Sequence, residues 1–245
     1  MTISRHVSAV VFATTLCATG GVCAQTLYQT FTLPASVNTW QSYSLSLTAS
    51  LPGMGGGVWR VAATPADIGS PAGAPATALQ LQSVLGNLGA LEFGGVLTNA
   101  SNGNNPPTIY PGAFALDNPN LGGLAFEDFT LASSYPAWKT TVNRAPSFGV
   151  GWNSAGGNPG GYISASDSLT VPALLTFSAP SGFLGNKSAA YGSTLSFDFQ
   201  DKNNVLQPTK FDYGVAILTA VPEPSTWLLM LGGGALFAAR RRLQR

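Results

Sequence analysis

An antiparallel all-β sandwich with one short helix is the fold this sequence predicts for residues 25–220, and three observations predict it. Gly, Ser, Thr and Asn dominate that span. Two stretches alternate apolar and polar residues with a period of two, the signature of a strand with one buried face. Gly-Gly and Asn-Pro pairs break the apolar runs at intervals of about ten residues, the spacing of turns in a sandwich.

The elements follow in chain order. From Trp40 to Ala49, Tyr43, Leu45, Leu47 and Ala49 share one face, and Ser42, Ser44, Ser46 and Thr48 share the other. Trp40 and Trp59 sit in strand patterns and are assigned to the core. The Gly55-Gly56-Gly57 run lacks the lysine and hydroxyl residue of a phosphate loop and reads as a strand connection. Leu81, Val84, Leu85 and Leu88 fall at i, i+3, i+4 and i+7, which predicts an amphipathic helix over Ala76 to Leu88 covering a sheet edge. Glu127 and Asp128, framed by Phe126 and Phe129, read as protective charge on a strand edge. Leu195 to Gln200 repeats the alternation, with Asp198 on its polar face, and Asp201 to Asn204 reads as a turn. Tyr213 to Leu218 is continuously apolar, as in a strand buried on both sides.

Both ends carry targeting signals. Arg5 and His6 precede an apolar run from Val7 to Ala18, and Val22-Cys23-Ala24 fits a signal peptidase cut after Ala24. The residues before Cys17 and Cys23 do not form a lipobox, so no lipid attachment is expected. At the other end a Pro222-Glu223-Pro224 triplet precedes an apolar stretch from Thr226 to Ala239 and then Arg240, Arg241 and Arg242. The prolines remove two backbone donors and keep the triplet extended and open to a processing enzyme, so Pro222, Glu223 and Pro224 are the expected processing residues. The apolar stretch would be a transmembrane helix of roughly 20 Å against a hydrocarbon core of about 30 Å, which suits a transient anchor. The arginines should stay cytoplasmic and place the rest of the chain outside. Residues 221–245 resemble the PEP-CTERM sorting signal of exopolysaccharide-producing bacteria. That resemblance implies processing by an exosortase after passage through the inner membrane, and delivery to the cell surface or extracellular matrix. An ordinary tail anchor is the alternative.

Cleavage after Ala24 removes Cys17, Cys23 and His6, which are all the cysteines and the one histidine of the chain. Disulfides, cysteine nucleophiles, Ser-His-Asp triads and His- or Cys-ligated zinc are thereby excluded from the mature protein. Stability outside the cell must come from packing. Residues 25–220 hold six basic residues and nine acids, a net charge of −3, with no basic cluster to suit nucleic acid.

The segments GGNPGGYISASD (Gly156 to Asp167) and FLGNKSAAYGSTLSFDF (Phe183 to Phe199) resemble the N-terminal half of a laminin B-type domain. The resemblance implies a jelly-roll-like β-sandwich. Trp40-Gln-Ser-Tyr-Ser-Leu, Trp59-Arg-Val, VLGNLGALEF and the context of Leu116-Asp117-Asn118 resemble what normally follows those motifs, so the halves look circularly permuted. Two departures stand out: the glycine-rich Gly94-Gly95-Val96 and the polar insertion from Asn99 to Pro107. One permuted domain over 25–220 and two domains divided near Ala132 both fit.

Glu92, Glu127, Asp128, Asp198, Asp201 and Asp212 are the acids from which a glycosidase would draw an acid and base about 5–10 Å apart. Asp and Asn side chains in loops also offer oxygen ligands to calcium, although no calcium motif names them. Glycan recognition would use aromatic faces against sugar rings, and Trp138, Trp152 and Tyr162 lie in loop-rich sequence where such a platform could be built. The same three residues could instead pack over the end of a sandwich. The expectation is a non-enzymatic surface or matrix protein that binds exopolysaccharide or assembles within it, without a resident cofactor. A hydrolase using paired carboxylates and an inert structural protein are the alternatives.

Overall fold

The computed structural model describes residues 25–33, 38–49, 57–68, 73–98, 112–146, 149–167, 173–202 and 210–221. The expected signal peptide, the Pro-Glu-Pro triplet and the expected transmembrane segment 226–239 lie outside the described residues. No helix among the described residues is long and apolar enough to cross a membrane.

The strands are β1 (Thr26–Phe31), β2 (Gln41–Ser46), β3 (Arg60–Ala62), β4 (Leu88–Thr98), β5 (Gly112–Leu121), β6 (Ala125–Phe126), β7 (Lys139–Val142), β8 (Ala145–Pro146), β9 (Gly151–Gly157), β10 (Gly160–Asp167), β11 (Ala173–Ser178), β12 (Thr194–Asp201) and β13 (Lys210–Ala220). They form two antiparallel sheets, ordered β3-β1-β13-β4-β11-β7-β8 and β2-β12-β5-β10-β9, with β6 beside β5. Ala24–Val221 cluster as one compact unit, and each sheet takes strands from before and after Ala132.

Side-chain alternation explains how the sheets meet. Leu27 and Phe31 of β1, Leu91 and Phe93 of β4 and Leu175 and Phe177 of β11 face inward from the first sheet. Tyr43 and Leu45, Phe114 and Leu116, and Leu195, Phe197 and Phe199 face them from the second. The ring of Phe31 lies 4.3 Å from that of Tyr43, Phe93 lies 4.9 Å from Phe197, and Phe114 lies 4.5 Å from Phe177. These tilted contacts across the layers are the geometry aromatic quadrupoles favour.

The apolar run in β13 is buried on both faces. Ala216 and Leu218 join the inter-sheet core, while Val215 and Ile217 meet Tyr28, Leu174 and Ile68 in a second cluster on the outer side of the first sheet. Ile68 belongs to the segment that follows β3 and covers that side. Glu92 also stands on this outer side, where Thr141 and Thr176 donate to its Oε1 and Arg144 Nε lies 3.3 Å from its Oε2. Arg144 donates onward to Thr219 Oγ1 at 2.7 Å. Glu92 is therefore an internal ion-pair partner, on the opposite sheet from Asp198.

The helix α1 (Ala78–Gly86) is shorter than the apolar spacing predicts. Thr77 makes a capping box, taking Gln80 N at 3.3 Å and giving its own N–H to Gln80 Oε1 at 2.8 Å, so the helix starts after it. At the other end Asn87 leaves helical geometry and Leu88 already belongs to β4. Leu81, Val84 and Leu85 are buried, and Leu79 on the opposite face is 78 % exposed. Thr77→Ala should lower stability by about 1 kcal/mol, read from urea unfolding of the body.

Glu127 and Asp128 are not on a strand. Their carboxylates cap the turn after β6, Glu127 Oε1 accepting from Phe129 N at 3.1 Å and Asp128 Oδ1 accepting from Thr130 N and Oγ1. Local side-chain bonds of this kind displace ladder pairing. They hold Phe129, which is fully buried, at φ 50°.

Candidate functional site

The outer face of the second sheet is polar because its inward positions are apolar. With Phe197 and Phe199 inside, Ser196, Asp198 and Gln200 of β12 point out; by the same parity β5 turns out Asp117, β10 Tyr162, Ser164 and Ser166, and β2 Ser42 and Ser44. The register sets Asp198 directly opposite Asp117. Like charges in that position repel, and four donors offset them. Asn118 N and Asn158 N donate to Asp117 at 2.8 and 2.7 Å, and Asn118 Nδ2 and Ser42 Oγ donate to Asp198 at 2.8 and 2.5 Å. Asn118 makes two of these bonds from a left-handed backbone, φ 50°, next to the β5–β12 register shift.

Asp117 has no solvent exposure. Burial pushes its carboxyl up to about 6, against the Asn158 and Asn118 amides, which pull it down, and with the Asp198 and Asp128 charges, which raise it further. The Thr130 bonds hold Asp128 below its ordinary value.

The tip of the β9–β10 hairpin and Trp40 flank the acid pair. Trp40 Nε1 donates to Gly156 O at 2.7 Å, and its ring meets Tyr162 edge-on at 5.4 Å. A Cβ on Gly157 would stand 2.5 Å from Asp117 Oδ2, so only glycine lets this strand pass the carboxylate. Lys202, just past β12, donates from Nζ to Tyr162 Oη at 2.5 Å and lies 4.3 Å from the ring centroid. Beyond Lys202 a cleft of about 390 Å³ runs across the strand ends, lined by Ala113, Gly149, Gly151, Ser164, Ser166 and Lys202. Small side chains leave it open, and polar and apolar atoms line it about equally.

Of the three aromatics expected to form a sugar platform, only Tyr162 lies on this face, and its ring is buried, 8 % exposed, beneath Lys202 and the edge of Trp40. Trp138 is 2 % exposed and packs in the core against Phe129 and Phe183, both at 5.5 Å between centroids, so it has no face to offer a sugar. Trp152 is half-buried, stacks on Tyr135 at 6.2 Å and donates Nε1 to Phe129 O at 2.8 Å. Trp40 was assigned to the core, yet it is half-buried on the polar face, while Trp59 is buried as expected. Parity could have placed Trp40, since it stands two residues before Ser42 and four before Ser44. Asp117, missing from the expected acids, follows from the same count beside Phe114 and Leu116.

None of the other expected acids with described side chains joins Asp198 as an acid and base pair. Glu92 is on the other sheet, and Glu127 and Asp128 cap a turn. Asp201 closes β12 rather than opening a turn, and is buried. The Asp212 side chain lies outside the described residues. Among the described residues no group of three or more His, Cys, Asp and Glu gathers as a metal site.

The body ends as firmly as it begins. Ala220 N donates to Gln25 O at 2.9 Å and Val221 N to Asn87 O at 2.9 Å, while Asn87 Nδ2 donates to Val221 O at 2.7 Å. No curated protein and no solved structure matches the chain, and nothing in these comparisons supports the laminin B-type resemblance or a permutation. Residues 220–242 do match a family model, the PEP-CTERM protein-sorting motif, which supports an exported protein carrying an exosortase-recognised sorting signal.

Proposed function

We propose that the sandwich is a non-catalytic glycan-binding module, delivered by its sorting signal to the cell surface or the exopolysaccharide matrix. The sorting motif supports export. The observation that carries the binding reading is the Trp40–Tyr162–Lys202 group beside a hydroxyl-lined cleft on one polar face. The half-buried Trp40, propped on Tyr162, offers ring surface for the C–H side of a sugar, with polar groups for its hydroxyls and a concavity beside it.

The carboxylate geometry speaks against hydrolysis at the same face. Asp117 and Asp198 are adjacent and buried, and each of their four oxygens already accepts from a protein donor, which ties both carboxyls into the sheet rather than presenting them to a bound sugar. A glycosidase needs two carboxyls that both reach the scissile bond.

Affinity electrophoresis of the body through gels containing the host exopolysaccharide tests the reading. Wild type should be retarded, Trp40→Ala and Lys202→Ala should each weaken retention at least about tenfold, and no new reducing ends should appear. Equal mobility with and without polysaccharide would refute binding, and release of reducing ends abolished by Asp198→Asn would establish the hydrolase instead.

A further inference from the structure

Lys202 is the one charged residue lining the cleft across the strand ends of the second sheet. Its place is fixed by the fold. Its N–H donates to Ala113 O at 2.9 Å, and parity with Asp198 and Gln200 turns its side chain to the outer face. Among the described residues Arg144 and Glu92, on the first sheet, form the one ion pair, so no described carboxylate neutralises the Lys202 ammonium. One of its three donors goes to Tyr162 Oη at 2.5 Å, and no other acceptor among the described residues takes the remaining two.

Hydroxyls meet the same space. Ser164 Oγ accepts from Asn153 Nδ2 at 3.0 Å, which leaves its own O–H to donate. Gly151, paired with Ser164, keeps the approach open, since a Cβ there would lie 3.4 Å from Ser164 Oγ. Ser166 is exposed and adds a second hydroxyl to the lining. The cleft thus gathers a cation and two hydroxyls and, among the described residues, no carboxylate. Such a lining favours a carboxylate or sulfate, which accepts several hydrogen bonds at once and makes charge-assisted ones about twice as strong as neutral ones. The acid pair does not cancel this. Asp198 precedes Lys202 by four residues, about 13 Å along a strand and beyond the screening length of about 8 Å at physiological salt.

We propose that the glycan taken by this face is acidic, with a sugar carboxylate or sulfate held by Lys202 and Ser164 while Trp40 covers the ring. Trp40 and Lys202 both contact Tyr162, at 5.4 and 4.3 Å from its centroid, so indole and ammonium stand within the reach of one disaccharide. An acidic ligand rests on the glycan-binding reading of the face and narrows it.

The test is calorimetric titration of the full chain, in non-ionic detergent, with oligogalacturonate, sulfated dextran and neutral dextran of matched length. One or both anionic probes should bind at least about tenfold more tightly than neutral dextran at low salt, and which of them does so distinguishes carboxylate from sulfate. Lys202→Gln should remove that preference without changing the affinity for neutral dextran, Lys202→Arg should keep it, and Ser164→Ala should reduce it severalfold. Lys139→Gln removes the same charge from an exposed position on the first sheet and should leave the preference intact. Neutral dextran bound as tightly as both anionic probes overturns the acidic ligand alone. So does a preference that Lys139→Gln lowers as much as Lys202→Gln, because net charge then accounts for it. Binding of the host exopolysaccharide but of none of the three probes also overturns the acidic ligand alone, whereas failure to bind the host polysaccharide as well overturns the glycan-binding reading with it.

Discussion

Gly161→Ala should destabilise the body by more than about 3 kcal/mol, lowering its melting temperature by about 10 °C or preventing folding. A Cβ at Gly161 would stand 2.1 Å from Phe129 O and 3.0 Å from both Asn153 O and Phe129 C. All three are backbone atoms, so no side-chain rotation relieves the overlap. Phe129 cannot retreat, because Glu127 holds its N–H and Trp152 Nε1 donates to its carbonyl. Gly86→Ala is the matched control. Nothing lies within 4 Å of a Cβ there and the residue is helical, so that change should be neutral or stabilise by up to about 1 kcal/mol. Thermal unfolding of the two variants beside wild type checks both signs, and equal melting temperatures would refute the close approach of β10 to Phe129.

The second large effect is a loss of stability as pH rises from about 4 to about 6.5. Asp117 titrates near 6 in the folded protein against an ordinary 3.8, so the folded state keeps a proton that the unfolded chain releases. Its contribution is fully present below 3.8, is lost as pH climbs through about 6, and changes no further above that. At about 1.4 kcal/mol per pH unit, the interval from 3.8 to about 6 amounts to about 3 kcal/mol. Asp128 acts with the opposite sign and in a lower window. Its carboxyl is depressed, so its contribution is present above its ordinary value and lost only as pH falls below it. Asp117→Asn should flatten the urea-derived stability between pH 4 and 6.5. A wild-type profile that rises with pH across this range would show that Asp117 is not buried as described.

Much of the sandwich was legible in the sequence because a period of two is a local signal. Leu195 to Gln200 shows its inward and outward sides in six residues, and Leu81, Val84 and Leu85 mark a helix face just as plainly. What local pattern cannot supply is the neighbour. Trp138 reads as a loop aromatic from its flanking proline and polar residues, and only the fold brings Phe93, Phe129 and Phe183 around it. Glu127 and Asp128 could have been recognised as turn caps from Thr130 two residues beyond, but the framing phenylalanines suggested a strand. Gly94 is explained only by the β4–β11 pairing: its missing Cβ would fall 1.8 Å from Leu175 O. Trp40 was within reach of the same parity that sorted its neighbours, whereas its contact with Tyr162 on β10 was not, since 122 positions separate them.

The central claim, that the polar face of the second sheet binds glycan, is tested most directly through the indole N–H resonances of the ¹⁵N-labelled body during titration with the host exopolysaccharide. The Trp40 signal, whose proton is held by Gly156 O on that face, should shift progressively and saturate, while those of the buried Trp59 and Trp138 stay in place. A Trp40 resonance unmoved by excess polysaccharide would contradict the claim and leave the sandwich without a glycan site on that face.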